Sequence, residues 1–487
     1  MAIEPQLLDT DDAAHLPQWT SSEREHFFNA IARHRRAAWQ VTLVSHGANF
    51  IVALIAALLM SPLFYAIAGL VLDLLNLLTP THDLLGVIRL LFAPMLEGTT
   101  GVPPLFVLTF TAFAAAPGLA WMALVITGLR RVLRIAATHD GAEILAREPN
   151  GTVLAEQRLV NVIAEMAIAA RLPPPHVMIV DTPIRNAAVF GRDEAHALIL
   201  VSSELLKTLN RSEMQGIAAH LIASIANGDM RVGLQTATTL SLFAVMGRLT
   251  KVLTDGSAWT PLMRLALALL RPTRASARQL VADLADPFAE ERPESRAARQ
   301  QPPNKQNQLW HIIWWLPLAG PVMLTGFLVT FITMFGLGPL MAVAWRRRKY
   351  MADATAVQLT RDPNTLASAL EQMREAPSFA TWATHLSVIG ARPSSTGLMS
   401  QSMLPISPGL PARLRALAKL GATLKHRPSG VPWLYLLIVG PLYAIAGALV
   451  GALCFALATV AIPITTMFTG IPFAILHRVL RWLASVL

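Results

Sequence analysis

The stretch LILVSSELLKTLNRSEMQGIAAHLIASIANGDMR, residues 198–231, decides how this chain is read. Ala197–Ser202 (ALILVS) is short, apolar and flanked by turn residues, which predicts a strand. Ser212–Ala226 (SEMQGIAAHLIASIA) predicts a helix, with Asn210 or Ser212 able to cap it and Asn227–Gly228 able to stop it. Upstream, His176–Asp181 (HVMIVD) and Asn186–Gly191 (NAAVFG) read as two more strands, with Arg192–Glu194 as the turn before the third. Before them, residues 151–172 place Leu159, Val162, Ile163, Met166 and Ala170 at helical spacing, and Pro173–Pro175 ends that segment. Downstream, Lys349–Leu359 is helical, Pro363 ends it and Leu366–Met373 resumes it. Residues 377–409 are loop-like, and Leu410–Leu424 forms a basic amphipathic helix. Helix, small sheet and helix make an α+β unit.

The rest of the chain has another character. Of 487 residues, 54% are hydrophobic and 14% charged, against about a quarter charged in a usual globular chain. Residues 37–72, 98–129, 306–345 and 428–477 contain no Asp, Glu, Lys or Arg, and each run exceeds the ~20 residues that cross a bilayer. The expectation is a multi-span α-helical membrane protein carrying the α+β unit. A purely soluble enzyme, a secreted disulfide scaffold (Cys454 is the only cysteine) and a disordered chain are excluded.

The net charge of +10 is then read as topology. Arg33, Arg35 and Arg36 precede the first run, the connection 73–97 is acidic apart from Arg89, and Arg130, Arg131 and Arg134 close the second run. That order implies a cytoplasmic start, an outward loop and a cytoplasmic return, with the α+β unit in the cytoplasm of a bacterium and the spans in its inner membrane. The path of 234–305 is open between a membrane hairpin and an interfacial segment with an inside loop. The divisions expected are 1–38 (N-terminal segment), 39–135 (two spans), 136–232 (core, first half), 233–345 (membrane-associated segment, basic loop and further spans), 346–427 (core, second half) and 428–487 (C-terminal membrane segments and an amphipathic end). The lipid bilayer is thus an expected partner. Nucleic acid is not, because the cations hug the run boundaries without aromatic interleaving.

The order of segments resembles the membrane-embedded zinc metallopeptidases that include the heat-shock protease HtpX and the CaaX prenyl proteases. QRLVNVIAEMAIAARLPPPHVMIVD (157–181), RNAAVFG (185–191), LILVSSELLKTLNRSEMQGIAAH (198–220), NGDMR (227–231), RRRKYMADATAVQLTRDP (346–363) and SPGLPARLRALAKLGA (407–422) carry it. The resemblance implies a zincin-like (gluzincin) core. In that family zinc is held by HExxH and a later Glu, because His residues at i and i+4 share a helix face and the intervening Glu acts as general base. Here the first ligand position is His220, the general-base position Leu221, the second ligand position Ser224 and the third Lys349, with Ala352 and Asp353 retained after it. One ligand of three remains. No metal, no cofactor and no zinc-dependent catalysis are therefore expected; zinc belongs only to the alternative of an atypical active site. Neither His385 nor Cys454 is placed near His220 by the sequence.

Two readings of Lys349 stand side by side. It either continues the Arg346–Arg348 run as a snorkelling lysine, or its ammonium takes the vacated metal position and pairs with Asp353 or Asp229. Asn186, Ala187, Ala188, Val189, Phe190 and Gly191 similarly form either an edge to which an extended peptide can add, a mode that needs no metal, or an ordinary strand covered by another element. The functional expectation is a catalytically inactive metallopeptidase homologue that binds a protein client or partner, or regulates an active relative. The alternatives are an active zinc endopeptidase with an atypical site and a membrane scaffold using the basic loop 248–305.

Overall fold

The helix at the centre of the opening stretch is fixed at both ends by its own sequence. In the computed structural model, Asn210 accepts from the Glu213 main chain while the Glu213 carboxylate accepts from the Asn210 main chain, a reciprocal capping box. The helix runs Arg211–Ala226 and stops at Asn227, with Gly228 at φ 69°, a conformation that costs glycine little. The structure describes residues 19–76, 104–136, 146–238, 259–271, 273–275, 338–373, 387–389, 407–428 and 474–483, with isolated positions between 441 and 456.

In chain order the helices are α1 (Phe27–Asn76), α2 (Pro104–Ala136), α3 (Leu154–Ala169), α4 (Ser203–Thr208), α5 (Arg211–Ala226), α6 (Trp259–Leu270), α7 (Gly338–Thr360), α8 (Pro363–Gln372) and α9 (Leu410–Lys419). The strands are β1 (His176–Val180), β2 (Ala187–Gly191) and β3 (Ala197–Ser202). They form a sheet in the order β1-β3-β2, β1 parallel and β2 antiparallel to β3, with Met178 opposite Leu200 and Val189 opposite Ile199.

The chain divides into two compact units. The first comprises residues 1–41, 137–233 and 342–437, and holds the sheet. Alternation along its strands sends Val177, Ile179, Ala187, Val189, Ile199 and Val201 into one core with α3, α5, α8 and α9. The opposite set, Met178, Ala188, Phe190, Leu198 and Leu200, packs on Trp345 of α7. Because both faces are covered, β2 and β3 read as continuous apolar runs. The second unit comprises residues 42–136, 234–341 and 438–487. In it, Gly118 of α2 packs so close to α1 that a Cβ would lie 2.3 Å from the Ala57 carbonyl oxygen. Ser61 bridges the pair, donating to Ala57 O at 2.7 Å and accepting from Gly118 N at 3.2 Å.

The expectation of a multi-span membrane region is corrected: among the described residues, no helix is long and apolar enough to cross a membrane. The physical reason is that a charge-free run is not the same as an apolar one. α2 has Pro117 inside it and three arginines near its end. α6 has 12 residues, about 18 Å at 1.5 Å per residue. The third run enters the described residues only in α7, which carries Arg346–Lys349. Among the described residues, the inside–outside assignment built on those runs therefore has no spanning helix to orient.

Smaller differences have local causes. α7 ends at Thr360 because Arg361 turns to φ 59°; Asp362 then caps α8, and Pro363 begins that helix rather than ending the previous one. α9 stops at Lys419, short of Leu424, as Gly421 adopts φ 113° and Leu424 pairs with Trp19. The basic segment 248–305 contains α6, and most of the rest of it lies outside the described residues, as do His385 and Cys454.

Candidate functional site

The site is built from three helices. α5 presents His220 and Ser224, one turn apart, on a buried face. α7 presents Trp345, Lys349 and Asp353 at successive four-residue intervals, so they stack along one side of the helix. α9 delivers Arg413, 2% exposed despite its charge. Asp353 receives that guanidinium bidentately, Nε to Oδ2 at 2.9 Å and Nη2 to Oδ1 at 2.7 Å. Burial by itself would raise the Asp353 carboxyl, but Arg413 and the neighbouring His220 outweigh it and hold the group well below the usual carboxylate range.

His220 is fully buried, and Asp353 Oδ1 approaches its Nδ1 to 2.8 Å. Nδ1 thus faces the carboxylate, while Nε2 is buried without a hydrogen-bond partner. Burial lowers the imidazole to about 4 against the pull of Asp353, with Arg413 and Lys349 adding to the lowering. His220 is thus neutral at neutral pH. Leu221 points into the main core. Ser224 is 6% exposed, and it helps to lower the Asp229 carboxyl.

Lys349 is 3% exposed and donates from Nζ to the main-chain oxygen of Ser387 at 2.7 Å. Its ammonium also lies 6.0 Å over the Trp345 ring. Burial lowers it to about 7, with Arg413 pushing the same way and Asp229 and Asp353 opposing. The two carboxylates suggested as its partners are engaged elsewhere: Asp353 by Arg413, and Asp229 by Arg348 at 2.7 Å. Burial raises Asp229 in spite of Arg348 and Lys349. His220, Lys349 and Asp353 are thus brought into one electrostatic cluster, without an ion pair between Lys349 and either Asp.

These residues do not fit a zinc ion. Catalytic zinc takes three protein ligands, commonly imidazole, thiolate or carboxylate. Nε2 of His220 suits that task, but Nδ1 faces the Asp353 carboxylate, Ser224 offers only a neutral hydroxyl, and Asp353 is clasped by Arg413. The ammonium of Lys349 has no lone pair to give. Among the described residues, no group of three or more His, Cys, Asp and Glu is arranged to hold a metal.

Beside this cluster lies the outer strand of the sheet. β2 is buried along its whole length, and residues 387–389 pair onto its outer edge, Ser387 bridging to Ala188 antiparallel. Sequence reasoning missed Arg413 and this short segment. Arg413 had a signal: a cation on the buried side of an amphipathic helix calls for a buried anion. Ser387–Ile389 had only its β-branched Val388 and Ile389, inside a stretch otherwise rich in loop formers.

A model of the family described as Peptidase family M48 matches residues 154–420, more than half of the chain and every element of this site. The chain belongs to peptidase family M48. Among its curated relatives is a "Protease HtpX homolog" from Dictyoglomus turgidum, 30% identical over 215 residues, which are 44% of this chain and 53% of the relative. Another, from Ligilactobacillus salivarius, is 26% identical over 285 residues, 55% of this chain and 78% of the relative. A third, from Tropheryma whipplei, is 28% identical over 240 residues, 49% and 62% respectively. The chain spans about half the length of the Dictyoglomus relative. The resemblance to the HtpX-like metallopeptidases is therefore met at the level of the family.

Proposed function

We propose that this M48 member binds polypeptide without cleaving it, as a metal-free homologue acting on protein clients or on an active relative. The observation that carries this reading is Lys349. A lysine stands where family members place an acidic zinc ligand, and it is buried against a main-chain carbonyl. The loss of the general base at Leu221 points the same way, since a metal-bound water would have no carboxylate to take its proton. Cleavage is what the names of the relatives state, and it is said of them. The runner-up, an atypical zinc endopeptidase, draws on the unpartnered Nε2 of His220.

Fluorescein-labelled β-casein, incubated with the full chain and added zinc, separates the two. Raised anisotropy with intact casein on a gel is the expected outcome. Fragments that vanish with a chelator and in His220→Ala would establish the endopeptidase instead.

A further inference from the structure

His34 of α1 is 6% exposed, and its ring stacks on Tyr350 of α7 with centroids 5.4 Å apart. Its Nδ1 is buried without a hydrogen-bond partner. Burial lowers the imidazole to about 4, and Arg33 and Arg347 add to the lowering against Asp353. One guanidinium from each helix is thus within electrostatic reach of the ring. Burial also raises the Tyr350 phenol, Asp353 adds to the rise, and Arg413, Arg346 and Arg415 oppose it. The hydroxyl therefore keeps its proton at neutral pH. Around this stacked pair, α1, α7 and α9 gather Arg33, Arg346, Arg347 and Arg415, the first and third exposed and the other two half-buried. Few anions answer them. Glu25 pairs with Arg33 at 2.6 Å, and Asp353 is clasped by Arg413. Among the described residues, Arg347 has no carboxylate partner. Like charges held this close repel one another unless an anion is shared among them.

We infer that Arg33, His34, Arg346, Arg347, Tyr350 and Arg415 form a binding site for a phosphate group. Guanidinium forks match phosphate oxygens two at a time. The Tyr350 hydroxyl donates, and a neutral imidazole can donate from Nδ1. A phosphate has enough acceptor oxygens to use several of these donors at once, where a carboxylate has two. The site stands apart from the binding role proposed above. Its α1 half also lies outside residues 154–420, so the family core alone does not supply it. The same phosphate chemistry is offered by inorganic phosphate and by a phospholipid headgroup. Trp39 separates the two sources: it is 66% exposed and one helical turn beyond Arg35 and Arg36, where only a ligand with an apolar chain has use for it.

Calorimetric titration of the full chain at low ionic strength tests this with three probes. They are sodium phosphate, dihexanoyl-phosphatidylglycerol, and dihexanoyl-phosphatidylcholine, whose phosphate is balanced by its own choline. Saturable binding of phosphate or of the glycerol lipid is expected. The Arg33→Gln, Arg347→Gln double variant should weaken it roughly tenfold, the loss of charge-assisted hydrogen bonds. His34→Phe, which keeps a ring on Tyr350, should weaken it by a smaller factor. Arg211→Gln, an exposed arginine on α5, should leave it unchanged. Binding of phosphate, with or without the lipid, assigns the site to the bare group. Binding of the glycerol lipid alone, weakened in Trp39→Ala, assigns it to a headgroup, and either result supports the site. Three results overturn it: no saturable binding of either probe, the choline lipid bound as tightly as the glycerol lipid, or unchanged affinity in a double variant that melts like wild type.

Discussion

The two residues with the largest physical consequence are His220 and Lys349, because each is a base buried in a place that disfavours its charge. Folded Lys349 releases its proton at about 7 instead of 10.5. Between those values the unfolded chain holds one proton more, so the contribution of Lys349 to stability rises with pH from about 7 and levels off near 10.5. A difference of this size corresponds to a few kcal/mol. Lys349→Met removes it: melting temperatures of wild type and variant should diverge most at and below pH 7, with the variant higher, and converge toward pH 10. Parallel curves would show that the ammonium is not desolvated as described. His220 obeys the same sign in a lower window. Its folded value of about 4 lies below the ordinary 6.5, so wild type loses stability as pH falls from 6.5 to 4, and His220→Gln should lose less over that interval. Equal losses would mean that the imidazole is hydrated.

At the scale of elements, Asp353 and Arg413 tie α7 to α9, each 2% exposed at the side chain. Removing one partner of a buried pair costs about 3–5 kcal/mol, because the other charge is stranded. Arg413→Ala should destabilise by that amount in urea unfolding, whereas the Arg413→Met, Asp353→Asn double variant should cost clearly less than the two single changes added. Strict additivity would show that the pair is not coupled. α5 and α8 meet at Gly216, where a Cβ would sit 2.6 Å from the main chain of Thr365 and Leu366. Gly216→Ala should therefore destabilise by roughly 1–3 kcal/mol from overpacking, and a neutral effect in the same unfolding assay would contradict that packing. Most of these elements were legible in advance. The capped helix around His220 and the strands 176–181, 186–191 and 197–202 are local patterns that sequence periodicity reports directly. Arg413 and Ser387–Ile389 were not, because their roles depend on partners some 60 and 200 positions away, Asp353 and Asn186. No periodicity carries that information. The charge-free runs misled for a related reason: the lack of charge says little about an internal Pro117 or about a helix of 12 residues such as α6.

For the whole molecule, α5, α7 and α9 of the M48 core meet around one buried cluster of charged and polar side chains. In this chain the closing contact is organic: an ammonium, a guanidinium and a carboxylate, with a strand laid across them. On this account the core needs no metal to hold α5, α7 and the sheet together, so a strong chelator should leave its thermal unfolding midpoint unchanged. The most direct test is the zinc content of the purified full chain by inductively coupled plasma mass spectrometry, measured beside His220→Ala. The account predicts far less than one zinc per chain in wild type and no difference in the variant. One zinc per chain in wild type, lost in His220→Ala, would contradict it.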